Sequence, residues 1–123
     1  QVGINWHVFP NTILLPNVTY CLGFRLRPDG YDPDSSIMEV FALERYPAGQ
    51  APETEWEYKP NIHDDSWPLL IKQDFSNMEM VQVGLKSRGF RGNLPNPYQE
   101  RKVTNLHRNL AKYMGVGAPR PIE

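Results

Sequence analysis

Residues 18–27 read Val18-Thr19-Tyr20-Cys21-Leu22-Gly23-Phe24-Arg25-Leu26-Arg27. Successive side chains of an extended chain point to opposite faces, so Tyr20, Leu22, Phe24 and Leu26 share one face while Thr19, Cys21, Gly23, Arg25 and Arg27 share the other. This is the pattern of a half-buried strand. Pro28-Asp29-Gly30 opens a turn-rich loop to Ser36, and residues 37–46, rich in strand formers, should return antiparallel beside it. Working toward the N-terminus, residues 4–9 read as a strand that closes at Pro10-Asn11, and residues 12–15 as a short strand interrupted by Pro16-Asn17. A twisted antiparallel sheet of three or more strands follows.

Working toward the C-terminus, residues 47–68 carry prolines, acids and little periodicity, and are expected to form a long loop or arm. Trp56, Tyr58 and Trp67 within it argue for docking rather than plain disorder. A helix is expected from about residues 74–76 to Ser87, with Gly89 as its stop. A second should open at Asn96-Pro97, place Val103, Leu106, Leu110 and Met114 on one side, and end at Gly115, leaving a loose tail over 115–123. Strands followed by helices without β-α alternation give an α+β class: an antiparallel sheet packed against C-terminal helices.

A chain of 123 residues is the size of one domain. Thirteen Lys and Arg against fourteen Asp and Glu give a net charge of -1, and no basic tract or aromatic-interleaved basic stripe suggests nucleic acid or an anionic membrane as partner. No apolar run approaches the ~20 residues that span a bilayer, so the expected setting is cytoplasmic. Cys21 is the single cysteine, which excludes internal disulfides and four-cysteine metal sites. Its ordinary reading is a small apolar strand residue. Asn17-Val18-Thr19 matches a glycosylation triplet, a pattern common by chance. The first residue is Gln1 rather than Met, and strand-like sequence begins almost at once, as in a piece of a longer protein.

The chemistry-bearing stretch is Lys72 to Phe90, KQDFSNMEMVQVGLKSRGF. On one continuous helix, Asp74, Met78, Val81 and Leu85 would share a narrow stripe facing a core. A buried ionised carboxylate costs several kcal/mol unless hydrogen-bonded, paired or metal-bound. Asp74 could act as a helix N-cap, or Ser76 could cap through the Ser76…Glu79 box and leave Asp74 just outside the helix. Spacing alone leaves cap and ligand both open.

The order and spacing of several motifs resemble the large terminal-oxygenase (alpha) subunits of the Rieske non-haem iron aromatic-ring-hydroxylating oxygenases. These are Phe9-Pro10-Asn11, Gln73-Asp74-Phe75, Gln82-Val83-Gly84-Leu85-Lys86-Ser87-Arg88-Gly89-Phe90 and Asn96-Pro97-Tyr98-Gln99-Glu100. The resemblance covers nearly the whole chain and implies that residues 1–123 are the C-terminal part of the catalytic domain. That domain has a helix-grip fold in which a curved antiparallel sheet wraps a long helix, and it would be incomplete here. The resemblance also places Asp74 at the carboxylate of a facial triad, two histidines and one acid on mononuclear Fe(II), a ligand set that leaves positions open for O2. An apolar shell around it would exclude water and hold a hydrophobic substrate. His7, Phe9, Leu14 and Met78 are candidates for lining the substrate pocket.

Departures from the family pattern are equally informative. The Cys-x-His and Cys-x-x-His pairs of the [2Fe–2S] Rieske cluster are missing, and His7, His63 and His107 do not offer the short helical spacing of the two iron histidines. The chain is therefore expected to be a segment, inactive alone. His107 reads as a core or boundary histidine, and His63-Asp64-Asp65 as a solvated polar loop rather than a metal site. Gln82, near the helical face of Asp74, should hydrogen-bond backbone if buried. The complete protein, by resemblance, would draw electrons from a reductase, with or without a ferredoxin, and would assemble as a homotrimer or with a second, beta subunit as α3β3. The 47–68 arm would be an intersubunit contact. Two rival readings remain: a non-enzymatic helix-grip module that binds an apolar ligand without iron, and a purely structural interaction domain whose main surface is the arm.

Overall fold

The computed structural model describes residues 4–117, so the end of the expected loose tail, residues 118–123, lies outside the described residues. The chain divides into two compact units, one formed by Gln1–Ala51 with Leu94–Glu123 and the other by Pro52–Asn93.

The first unit is built on a four-stranded antiparallel sheet in which strand order follows chain order. The strands are β1 (Trp6–Val8), β2 (Thr12–Pro16), β3 (Tyr20–Pro28) and β4 (Ser36–Glu44). Turn chemistry fixes the register. The Phe9–Pro10 peptide is cis, and Asn11 ties the β1–β2 turn to β3 by accepting at its carbonyl from the Leu26 N–H (3.0 Å) and donating from Nδ2 to the Leu26 carbonyl (2.8 Å). The β3–β4 pairing runs unbroken from Tyr20↔Glu44 to Pro28↔Ser36. Its connecting loop is pinned by Ser35 Oγ donating to Asp29 Oδ2 (2.8 Å) and by the Asp34 N–H on Asp32 Oδ1 (2.9 Å). β3 begins two residues later than the alternation suggests, because the Asn17 N–H closes a turn onto the Tyr20 carbonyl (2.8 Å) and leaves Val18 exposed.

The alternation of β3 survives, with an unexpected distribution of burial. Leu22 and Phe24 are half-buried, but on the opposite face Gly23 is buried, because the Phe41 ring of β4 lies over it. Arg25 and Arg27, on that same face, both donate to Glu39 of β4. Arg25 stands directly opposite Glu39 in the ladder, the placement at which opposite charges support antiparallel pairing.

The last helix, α3 (Arg101–Met114), contacts β1 and completes this unit. Its start confirms the Asn96-Pro97 signal in chemistry, though not in position. Asn96 Oδ1 accepts from the N–H groups of Tyr98 (2.9 Å) and Gln99 (3.0 Å), and Glu100 Oε2 accepts from the Asn96 N–H (2.5 Å). This reciprocal cap holds one turn, after which the regular helix runs from Arg101. It ends at Gly115, whose φ of 69° is the left-handed C-cap conformation that glycine adopts without strain. The anticipated apolar stripe is only partly covered: Leu106 is half-buried and Ala111 buried, while Val103, Leu110 and Met114 are exposed. His107, expected at a core boundary, is exposed.

The second unit corrects the helix assignment. One helix from Asp74–Ser76 to Ser87 was expected; two are found, α1 (Leu69–Phe75) and α2 (Met78–Leu85). Pro68 starts α1, with its carbonyl accepting from the Lys72 N–H (3.0 Å), and its preset φ suits a helix start. Ser76 stops α1 by turning its hydroxyl back onto the Gln73 carbonyl (2.8 Å), the local competition with helix that short hydroxyl side chains provide. α2 ends at Leu85 with Lys86 as C-cap, so Gly89 lies in the following turn rather than at the stop. Between Glu44 and Leu69 there is no helix or strand. The class is thus α+β, consistent with a helix-grip catalytic domain. No helix among the described residues is long and apolar enough to cross a membrane.

Candidate functional site

Around Asp74 the geometry is set by the short helix that carries it. Ile71 and Phe75, four residues apart on α1, point the same way and are the two buried apolar side chains of the second unit (5% and 3% exposed). Trp67 packs edge-on against Phe75, ring centroids 5.5 Å apart and planes at 88°, a favoured quadrupole geometry. Each fully buried side chain of this size contributes roughly 1.5–3 kcal/mol. α1 is therefore anchored by its 71/75 face.

Asp74 stands beside that anchor, one residue before the end of α1. It is exposed, and its carboxylate has no hydrogen bond or ion pair with any described residue. Both capping readings fail. Asp74 closes a helix instead of opening one, and α2 starts from Asn77 without a side-chain cap bond, so Ser76 and Glu79 form no capping box. The core-facing stripe fails with them: the break at Ser76–Asn77 takes Asp74 out of phase with α2, and Met78, Val81 and Leu85 are 40%, 53% and 39% exposed. Gln82 is likewise exposed.

The neighbouring polar groups are spoken for. His63, expected to be merely solvated, meets Glu79 of α2 through Nε2 and Oε2 at 3.0 Å. Asp64 accepts from the Ser66 hydroxyl and N–H, which hold its carboxyl below the ordinary value near 3.8, with Lys59 and Lys72 adding to the effect. Asp65 pairs with Lys72 of α1 at 3.0 Å. Among the described residues no group of three or more His, Cys, Asp or Glu side chains converges as a complete metal site. A metal here would find in Asp74 one free carboxylate donor on an anchored helix.

Trp6 pairs with Leu14 and His7 with Ile13, so His7 and Leu14 lie on opposite faces of the sheet and cannot line one wall of it together. His7 is half-buried, and its Nδ1 is buried without a partner among the described residues. Phe9 packs edge-on against Tyr113 of α3, centroids 5.8 Å apart. Met78 opens α2 in the other unit. Sequence reasoning missed the Trp67–Phe75 contact and the His63–Glu79 pair; both are tertiary contacts without a local signal. It had no sign either of the second buried polar atom without a partner among the described residues, Trp67 Nε1.

A comparison with protein families matches residues 1–116 to the ring hydroxylating alpha subunit (catalytic domain). Neither the curated proteins nor the solved structures contain a significant match to this chain.

Proposed function

The chain belongs to the ring hydroxylating alpha-subunit family, matched over its catalytic domain, and from that premise we propose that it supplies the carboxylate ligand of a mononuclear iron centre through Asp74. Iron at that centre would bring O2 activation and hydroxylation of an aromatic or similarly hydrophobic substrate, with electrons arriving from a reductase, with or without a ferredoxin, through a Rieske [2Fe–2S] cluster.

The observation that carries this reading is the free carboxylate of Asp74 at the C-terminal end of α1. The partial negative charge of a helix C-terminus disfavours an acid there, and no cation, cap or hydrogen bond among the described residues offsets it. A cation bound by Asp74 would. Ile71 and Phe75 serve the same end by fixing the face of α1 and so the direction in which Asp74 is offered. The exposed apolar side chains of α2, Met78, Val81 and Leu85, are of the kind that exclude water from an iron site and receive an apolar substrate once covered. With Asp74 as the one donor assigned to this site among the described residues, the chain alone would be inactive; two histidines from the rest of an alpha subunit would complete the ligand set. The complete protein functions as a homotrimer or an α3β3 assembly.

The test uses a complete alpha subunit that contains this chain. Asp74→Ala should remove mononuclear iron, measured by metal analysis, while the visible spectrum of the Rieske cluster and the fold by circular dichroism stay unchanged. Full retention of mononuclear iron in that variant overturns the reading.

A further inference from the structure

Residues 61–67 form a stiff loop whose side chains reach both helices of the second unit, and the anchoring of α1 uses only part of that reach. Two successive turns fix its backbone. Asn61 accepts from the Asp64 N–H at its carbonyl (3.2 Å) and from the His63 N–H at Oδ1 (2.8 Å). Asp64 accepts in the same way from the Trp67 N–H (3.3 Å) and the Ser66 N–H (2.8 Å). Side-chain oxygens that close the turn they begin hold such a loop in one conformation. From this frame Asp65 pairs with Lys72 (3.0 Å) and Trp67 packs on Phe75, both on α1. His63 instead meets α2, its Nε2 lying 3.0 Å from Oε2 of Glu79.

The joint between the two helices has little local reinforcement. Ser76 turns its hydroxyl back onto the Gln73 carbonyl, and α2 starts from Asn77 without a side-chain cap bond. Positions at the ends of elements absorb changes of angle most readily, so a loop that holds both sides of the break sets the angle between them. It also holds each helix on a side away from its functional groups. At 3.6 residues per turn, Asp74 lies about 100° around α1 from Phe75 and about 160° from Lys72. On α2, Val81 and Leu85 lie about 160° and 120° around from Glu79.

We propose that His63 and Glu79 are positioning residues: their pair sets α2 against α1 across the Ser76–Asn77 break, and so places the apolar side chains of α2 relative to the carboxylate of Asp74. The proposal rests on the reading of Asp74 as the iron ligand and deepens it. The pair lies in solvent, with side chains 45% and 68% exposed, and an exposed pair adds little to global stability. A small bias suffices at a soft joint. Glu79 also occupies the first turn of α2, where a carboxylate suits the helix dipole. His63 is therefore the position at which the pair is separated from that second effect. Glutamine there keeps an N–H close to where Nε2 stands and restores the bond without an imidazole.

The test uses a complete alpha subunit that contains this chain, with His63→Ala, Glu79→Ala, the double variant and His63→Gln. Circular dichroism, metal analysis and the visible spectrum of the Rieske cluster should be unchanged in His63→Ala and His63→Gln. Amide hydrogen exchange over residues 76–81 should be several-fold faster in His63→Ala, no faster in the double variant than in Glu79→Ala, and restored in His63→Gln. Nitric oxide added to the reduced subunit as a paramagnetic probe of the mononuclear iron should give one electron paramagnetic resonance signal in the unchanged protein and in His63→Gln, and a broadened or split one in His63→Ala. Unchanged exchange in His63→Ala overturns the brace. Faster exchange with an unchanged nitric oxide signal makes the pair structural only and overturns the positioning role, as does failure of His63→Gln to restore either readout. Retention of iron in Asp74→Ala overturns the ligand reading itself, separately from the exchange result.

Discussion

Gly23 of β3 and Phe41 of β4 are direct partners in the ladder, and the Phe41 ring occupies the space a side chain at position 23 would need. A Cβ at Gly23 would fall well inside van der Waals contact with three ring carbons. The glycine is there for close approach. Gly23→Ala should destabilise the sheet by about 1–3 kcal/mol, the cost of overpacking, read from the urea midpoint. Because the obstruction is one ring, Phe41→Ala should make Gly23→Ala nearly neutral in the double variant. Equal costs of Gly23→Ala with and without the ring would refute the contact as the cause.

Glu39 accepts from two arginines, Arg25 and Arg27, on the same face of the sheet. The hydrogen bond from Arg25 is the largest cause holding the Glu39 carboxyl below its ordinary value near 4.5. The folded state therefore prefers the ionised form. Its contribution is present above the unfolded value and is lost as pH falls through the lower folded value, so acid should weaken the sheet. Glu39→Gln removes this dependence. Stability profiles of the two proteins should separate at neutral pH and converge below about pH 4.5; parallel profiles over that range would show that the pair is not coupled to folding.

Asn96 tests a different level of structure. Its side-chain oxygen serves two N–H groups ahead of α3, at Tyr98 and Gln99. Asn96→Ala should cost about 1 kcal/mol and reduce ellipticity at 222 nm, and Asn96→Asp should recover most of the loss. Failure of the aspartate to recover it would mean that the turn, not the cap, depends on residue 96.

These elements also show where the sequence was readable. β3, β4 and the Asn96 cap were visible because their determinants are local: a period of two, a turn loop and an oxygen two and three residues from its donors. The Gly115 stop was visible for the same reason. α1 was not. Leu69-Leu70-Ile71 follows an irregular, proline-rich arm, and the two-residue interruption at Ser76–Asn77 falls within a run whose apolar spacing continues on both sides. Periodicity carried the reading of one helix across the break and put Asp74 at the head of a helix that it in fact closes. The burial expected of Met78, Val81 and Leu85 failed because amphipathic spacing says which face can be covered, not whether a partner covers it. The ligand role proposed for Asp74 rests on motif order, since no local rule distinguishes its carboxylate from any other surface acid.

That position yields the last prediction. A carboxylate one residue from the end of α1, exposed and without a cation, faces the unfavourable end of the helix dipole. If it is retained for ligation and not for folding, neutralising it should not harm this chain. Asp74→Asn should leave the second unit as stable as before or more stable by about 0.3 kcal/mol or more, monitored by Trp67 fluorescence during urea unfolding, because Trp67 packs on the adjacent Phe75. In a complete alpha subunit the same change should abolish mononuclear iron. The two readouts must move in opposite directions: stability kept, metal lost. A clear loss of stability in Asp74→Asn would assign the carboxylate to holding α1 together and withdraw the argument that its exposed, unpartnered state marks a ligand.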